Sequence, residues 1–176
     1  MSKRVTRVTP LLPLYHRLMG ARIGRRVQIN TAVIADQNLV EIGDDTVIGG
    51  DVTLVCHSKT VALALRAADQ LQRDLGIAAE VVDLRTIRPL DVATLAASVA
   101  KTNRCVVVEE GWPFCGVGAQ VVDDLQRAAF DDLDAPIERV TQADVPMPYN
   151  KHLEKAAKPS VDQIVSAVKR VTYRDR

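Results

Sequence analysis

Aromatic residues are scarce here: one Trp, three Tyr and two Phe in 176 residues. A surface that stacks nucleic-acid bases needs several of them on one face, so nucleic acid is set aside as a partner. Cysteine is also sparse. Cys56, Cys105 and Cys115 are odd in number and lack CxxC spacing, and two of them stand in apolar strand-like runs. Such a set builds neither a disulfide framework nor a zinc site and fits a reducing compartment. No stretch approaches the roughly 18 consecutive apolar residues of a membrane span. No apolar h-region with a small-residue cleavage site is present either, so neither a membrane nor secretion is expected. The expected compartment is the cytoplasm.

Acid is missing from the first thirty residues. They carry Lys3, Arg4, Arg7, Arg17, Arg22, Arg25 and Arg26, leaving 16 basic against 22 acidic residues downstream. A basic head on an acidic body fits a solvated face, a targeting segment or a nucleic-acid contact, and the solvated face is preferred. The targeting alternative would place the chain in a mitochondrial matrix.

From Ile23 an aliphatic residue followed by a small one recurs six residues on, as in Ile23-Gly24 and Ile29-Asn30, and again in Ile42-Gly43 and Ile48-Gly49. That is the repeat of a left-handed parallel β-helix. Residues 14–53 therefore resemble the hexapeptide-repeat acyltransferases. They make under two coils, where about three repeats are needed for stability, and they offer no histidine base at a matching position. A short β-structured appendage over residues 1–51 is the expectation.

From residue 52 the period changes. Strands are predicted at 52–56, 79–84, 104–108 and 137–140, and helices at 61–75, 92–101, 116–130 and 161–171. Gly76 is placed to end the first helix, Asp91 to cap the second, and Ser58 or Thr60 to cap the first. Strand–helix alternation of this kind predicts an α/β domain over residues 52–176, a parallel sheet in three α/β/α layers with right-handed crossovers.

The chain is organised around Arg104 to Gln120. An apolar strand meets Glu109 and Glu110, turns at Gly111-Trp112-Pro113, and enters a helix through Gly116 and Gly118. Loops at the carboxyl ends of parallel strands are where open α/β sheets meet ligands. Two adjacent carboxylates suggest acid–base chemistry, but neighbours at a strand end face opposite ways and form no dyad, so a structural or interface role is preferred. Arg85 or Arg88 is placed to clamp Glu109 or Glu110. Trp112 is a lid on the core or, preferably, an interface anchor. Gly116-Val117-Gly118 invites a phosphate, yet the third glycine of GxGxxG is lacking.

Four segments carry a family resemblance: VVDLRTIRPLD (81–91), KTNRCVVVEEGWPFCGVGAQ (101–120), LDAPIERVTQADVPMPYNKHLEKAA (133–157) and the final helix. Over about 120 residues they resemble the transketolase-like carboxy-terminal domain of the β subunit of the thiamine-diphosphate-dependent first component of pyruvate dehydrogenase. The resemblance implies a place in a complex that converts pyruvate to acetyl-CoA. It implies a β–β homodimer, an α-subunit partner, and docking of the peripheral-binding domain of a dihydrolipoyl acetyltransferase. Asp134 matches the family's docking acid, and Asp131 and Asp132 stand ready to support it, although a solvated acidic turn would look the same. Arg174 and Arg176 extend past the usual stop and would repel a basic partner. In the family, thiamine diphosphate and its Mg are held by the α subunit and by a pyrimidine-binding domain that supplies the active-site histidine. None of their motifs is present in this chain, so no cofactor, metal or catalytic residue is assigned to it and it is expected to be inactive alone. The order of segments reads as a carboxy-terminal fragment joined to the end of another reading frame. The competing function is a hexapeptide-type acyltransferase-like scaffold carrying the α/β domain, which predicts threefold rather than twofold association.

Overall fold

The computed structural model describes residues 50–174 and, upstream, four two-residue strands: β1 (Arg22–Ile23), β2 (Gln28–Ile29), β3 (Glu41–Ile42) and β4 (Val47–Ile48). β1 pairs in parallel with β3, Arg22 opposite Glu41, and β2 with β4, Gln28 opposite Val47. Both pairs share one nineteen-residue offset, and β2 follows β1 by six residues as β4 follows β3. The remainder of the hexapeptide expectation for residues 14–53 lies outside the described residues, as does Arg176.

The α/β domain opens with β5 (Val52–Cys56), buried along its whole length. It is stitched in at once. Asp51 N–H donates to Ala78 O at 2.9 Å, and Ala78 N–H donates back to the Asp51 carboxylate at 2.8 Å. β6 (Ala79–Asp83), β7 (Cys105–Val108) and β8 (Glu138–Val140) complete a four-stranded sheet in the order β6-β5-β7-β8, all parallel. The chain thus leaves β5 to one side for β6, then crosses to the other side for β7. The switch point, where open sheets bind ligands, falls between the carboxyl ends of β5 and β7.

Side chains along β5 divide the core by the period-two rule. Val52, Leu54 and Cys56 face α1 (Thr60–Leu75) and α5 (Val161–Val171), where Ala64, Ala67, Leu71, Ile164, Ala167 and Val168 close the layer. Val55, with Cys105 and Val107 of β7, faces α2 (Val92–Thr102) and α3 (Val117–Ala128) through Leu95, Val99, Val121 and Leu125. The three-layer arrangement is as expected, and its filling is mostly aliphatic, with no aromatic side chain among the buried residues described.

Local signals hold well at helix ends and less well elsewhere. Gly76 takes φ +63° after α1, and Asp91 accepts the Thr94 N–H at the start of α2, both as expected. Ser160 and Gln163 form a capping box at α5. At α1 the outcome differs: Lys59 holds the cap position without a side-chain bond. Thr60, one residue inside, turns its hydroxyl back to His57 O at 2.7 Å and across to Val108 O at 3.1 Å. The helix after β7 is shorter than predicted, Val117–Ala128, and is followed by a 3-10 turn at Phe130–Asp132. A seven-residue helix that the apolar period does not announce, α4 (Lys151–Ala157), starts where the Asn150 side chain accepts the N–H groups of His152 and Leu153.

One polar group lies in the middle of the core. Thr53 is fully buried on the α2 face, and its Oγ1 shares hydrogen bonds with Ser98 Oγ and Thr102 Oγ1, both at 2.8 Å. Replacing it by the isosteric Val removes two bonds and takes from the buried Ser98 hydroxyl its Thr53 partner, while Thr102 keeps Ser98 O and Arg104 O, which costs about 1–3 kcal/mol. Thr53→Val is therefore expected to lower the unfolding midpoint in urea with an unchanged slope, and a neutral result would refute the role given to this triad.

Candidate functional site

The residues after β7 form the most constrained loop of the domain. Glu109 is 2% exposed although it carries a carboxylate. A charge so placed is tolerated only if every oxygen is engaged. Its Oε1 accepts from the Arg139 guanidinium at 2.9 Å, and its Oε2 accepts the Gly118 N–H at 3.0 Å. Gly118 lies in the first turn of α3, so the carboxylate sits at the positive end of that helix.

The two glycines exist for this carboxylate. A Cβ on Gly118 would lie 2.5 Å from Glu109 Oε1, and one on Gly116 would lie 2.7 Å from the same atom and 2.5 Å from Trp112 O. Neither takes a positive φ, since Gly116 has φ −72° and Gly118 is helical, so the requirement is space and not backbone freedom. The strand–glycine–helix arrangement that in nucleotide-binding folds cradles a phosphate here cradles the chain's own anion. A diphosphate does not fit this turn while Glu109 occupies it.

Arg139 is the partner that sequence reasoning missed. Its other amine donates to Pro113 O at 2.9 Å, so one guanidinium ties β8 to both the acid and the loop. The expected clamps do something else. Arg85 pairs with Asp83 at 2.8 Å on the surface, its side chain 87% exposed, and Arg88 is likewise exposed. Both stand at the end of β6, on the far side of β5 from Glu109, which is why neither reaches it. Arg139 is hidden in the run Ile137-Glu138-Arg139-Val140. Only the parallel register that sets β8 against β7, Arg139 opposite Val107, brings it to the acid.

Glu110 diverges from Glu109 as expected and is partly exposed, facing Lys158. Lys158 is itself bonded to Glu154, and that contact holds the ammonium above its ordinary pKa and the carboxyl below its own. Trp112 is half exposed, and its Nε1–H donates to Val145 O at 3.0 Å. Further bonds hold the same side. Gln142 N–H donates to Gly111 O at 3.1 Å, Ala143 N–H to Ala157 O at 2.8 Å, and the buried Ala157 closes the segment against the core. Gln142 and the end of α4 thus pack beside the loop that follows β7.

The acidic turn lies at the opposite end of the sheet. Asp131 and Asp132 are exposed in the 3-10 turn, and the half-exposed Asp134 carboxylate meets Arg104 at 3.2 Å. Tyr173 O–H donates to Asp134 O at 3.1 Å. Arg174 donates to Leu75 O at 2.8 Å, at the carboxyl end of α1, and keeps its charge there.

Comparison with known proteins fits this geometry. Residues 45–164 match the family model described as the transketolase C-terminal domain. The chain belongs to that family. It is 54% identical over 126 residues to pyruvate dehydrogenase E1 component subunit beta-2, mitochondrial, of Oryza sativa subsp. japonica, covering 72% of this chain and 33% of the relative. It is 54% identical over 125 residues to pyruvate dehydrogenase E1 component subunit beta of Rickettsia felis, covering 71% and 38%. A solved structure described as "Split gene transketolase, inactive beta4 tetramer" superposes with a TM-score of 0.60 at 30% identity, over 73% of this chain and 40% of that one. The chain thus spans about a third of the length of these β subunits and corresponds to their carboxy-terminal domain. Among the described residues no group of three or more His, Cys, Asp or Glu is arranged to hold a metal ion, and no helix is long and apolar enough to cross a membrane.

Two outcomes test this transketolase C-terminal domain. Glu109→Gln removes one half of a buried pair and is expected to cost on the order of 3 kcal/mol, at the low end for such pairs because Arg139 reaches water. Glu110→Gln should stay within about 0.5 kcal/mol, as surface changes do. Urea unfolding of both variants separates the roles. Burial pushes the Cys105 thiol up to about 12, and burial with the nearby Asp83 charge does the same to Cys56. At pH 8 a disulfide reagent should therefore modify one thiol of the native chain rapidly, the exposed Cys115, and all three after denaturation.

Proposed function

We propose that this chain serves as the carboxy-terminal domain of a pyruvate dehydrogenase β subunit and acts through assembly, with no turnover of its own. The observation that carries this reading is the identity of 54% over 126 residues with a pyruvate dehydrogenase E1 β subunit, which spans nearly the whole described domain. The geometry supports the assembly part. The loop that would take a ligand is filled by Glu109, so what the domain offers is surface. The complete enzyme's reaction, pyruvate decarboxylation and acetyl transfer to CoA, belongs to a complex in which thiamine diphosphate and Mg are held by an α subunit and a pyrimidine-binding domain. The solved relative is described as a β4 tetramer, which supports association of this chain with copies of itself. A bacterial bearer would place it in the cytoplasm, a eukaryotic one in the mitochondrial matrix.

In this reading Asp134, flanked by Asp131 and Asp132, receives the small basic peripheral-binding domain of a dihydrolipoyl acetyltransferase. An arginine of that domain would compete with Arg104 for the carboxylate. Titration calorimetry with such a domain should show binding that weakens with salt and falls about tenfold or more in Asp134→Ala, the loss of one charge-assisted pair at an interface. Unchanged affinity in the variant would remove Asp134 from the contact.

A second reading has one observation in its favour. The equal nineteen-residue offsets of β1–β3 and β2–β4 are what successive turns of a parallel coil produce. A coil of that kind could carry the α/β domain as cargo and assemble three copies. Light scattering decides between them: a threefold mass favours the scaffold and a twofold or fourfold mass the dehydrogenase assembly.

A further inference from the structure

The sheet has two edge strands, and they differ in what lies beside them. The short strand β4 lies against β6. Beyond β8 there is no further strand among the described residues. An uncovered edge is a row of main-chain donors and acceptors, and the bonds already made show which of them are open. Val140 O accepts the Glu109 N–H, and Gln142 N–H donates to Gly111 O, so residues 140 and 142 turn their main chain toward β7 and its loop. In a parallel ladder the residues between them turn the other way. The N–H and C=O groups of Arg139 and Thr141 therefore face outward, and among the described residues they bond no other element.

These groups open into a groove. It measures about 340 Å³ and runs between β8 and α5, lined by residues 139–141 and by Asp162, Gln163, Ser166 and Arg170. That volume is at the lower end of the range for ligand sites. Val140 faces the α5 layer, and Arg139 reaches the other way to Glu109. By the period-two rule Arg139 and Thr141 thus give the groove their main chain, and the side chains in it come from α5. The helix runs back along β8, since Arg170 in its last turn bonds Glu138 at the start of the strand at 3.0 Å. Asp162, Ser166 and Arg170 are four residues apart on one helix face, about 6 Å from each to the next. Alternate side chains of an extended chain are about 6.6 Å apart. A strand laid against β8 would therefore keep step with α5, every second side chain over one of these three positions.

The charges say what such a strand carries. Arg170 is paired with Glu138, so that end of the groove asks for no charge. Asp162 and Ser166 are exposed, and among the described residues their side chains make no hydrogen bond or ion pair. The groove thus holds one carboxylate in excess with a small hydroxyl beside it. We infer that the β8 edge is a docking site for an extended segment of another protein. The segment adds as a further strand and bonds the outward main chain of Arg139 and Thr141, while alternate side chains set its specificity. It places a lysine or arginine over Asp162 and a small side chain over Ser166. The site is separate from the acidic turn at Asp134 and stands whether or not the dehydrogenase reading does.

The probe is a capped peptide reading Thr-Val-Ser-Val-Lys-Val-Ser-Val-Thr, which is the same in both directions and so fits a parallel or an antiparallel addition. Added to the full chain, it should slow hydrogen exchange at the Arg139 and Thr141 amides and leave those of Glu138 and Val140, already bonded within the sheet, as they were. At low salt Asp162→Asn should weaken binding about two- to fivefold, the effect of one exposed ion pair. Ser166→Arg puts bulk and like charge into the groove and should abolish binding. Both positions are exposed, so neither change disturbs the core. Asp162→Lys should reverse the preference, favouring the same peptide with glutamate in place of lysine, and Asp134→Ala should leave the affinity unchanged. No binding at millimolar peptide would overturn the inference. So would binding that leaves the Arg139 and Thr141 amides unprotected, or equal binding of the lysine and glutamate peptides to the unaltered chain. Binding lost in Asp134→Ala and kept in Ser166→Arg would place the peptide on the acidic turn and sink the β8 site.

Discussion

A buried carboxylate at a helix amino end is the constraint around which this domain is arranged. Once Glu109 leaves the end of β7 and turns inward, the positive end of α3 must come to it, the two glycines must be small, and a cation must balance it. Arg139 supplies the cation from the neighbouring strand. The same guanidinium fixes Pro113 O, and with it the direction in which Trp112 leaves the loop. One ion pair therefore connects the sheet interior to the loop that carries Trp112. Its contribution to stability is modest in net terms, because desolvation offsets most of the attraction. Its structural consequence is larger, since without Arg139 the buried Glu109 carboxylate keeps only the Gly118 N–H.

That arrangement sets the chain's own carboxylate and its arginine beside the switch point of the sheet. Open parallel sheets leave a crevice where the chain reverses direction. In this chain the Thr60 hydroxyl bridges the two strands at that point, and Gln142 and the end of α4 pack beside the loop that follows β7. The carboxyl end of the sheet exposes Trp112 and the amino end an acidic turn.

Much of this is legible in the residues, for identifiable reasons. Strands built from runs such as Val52–Cys56 and Cys105–Val108, and helices with a steady apolar period such as Val161–Val171, announce themselves. So do the caps at Gly76 and Asp91. The pairing of Glu109 with Arg139 does not, because it depends on strand order, which places residues thirty apart side by side and keeps Arg85 and Arg88 two strands away. The α4 helix escapes notice because seven residues hold too few apolar positions to show a period, and its only signal is Asn150. The Trp112 loop reads as an interface from sequence, but its coupling to Val145 is a tertiary fact. The family's four motifs locate the domain, while the roles of Gly116 and Gly118 emerge only when the space around them is occupied.

The stitch between Asp51 and Ala78 has a consequence for inheritance. It anchors the first strand at its very start, using only backbone and one carboxylate of the domain itself, so the register of the sheet is set without instruction from upstream. The strand just upstream still leans on the domain, since β4 lies against β6 and α1, and the family match begins at residue 45, ahead of the stitch.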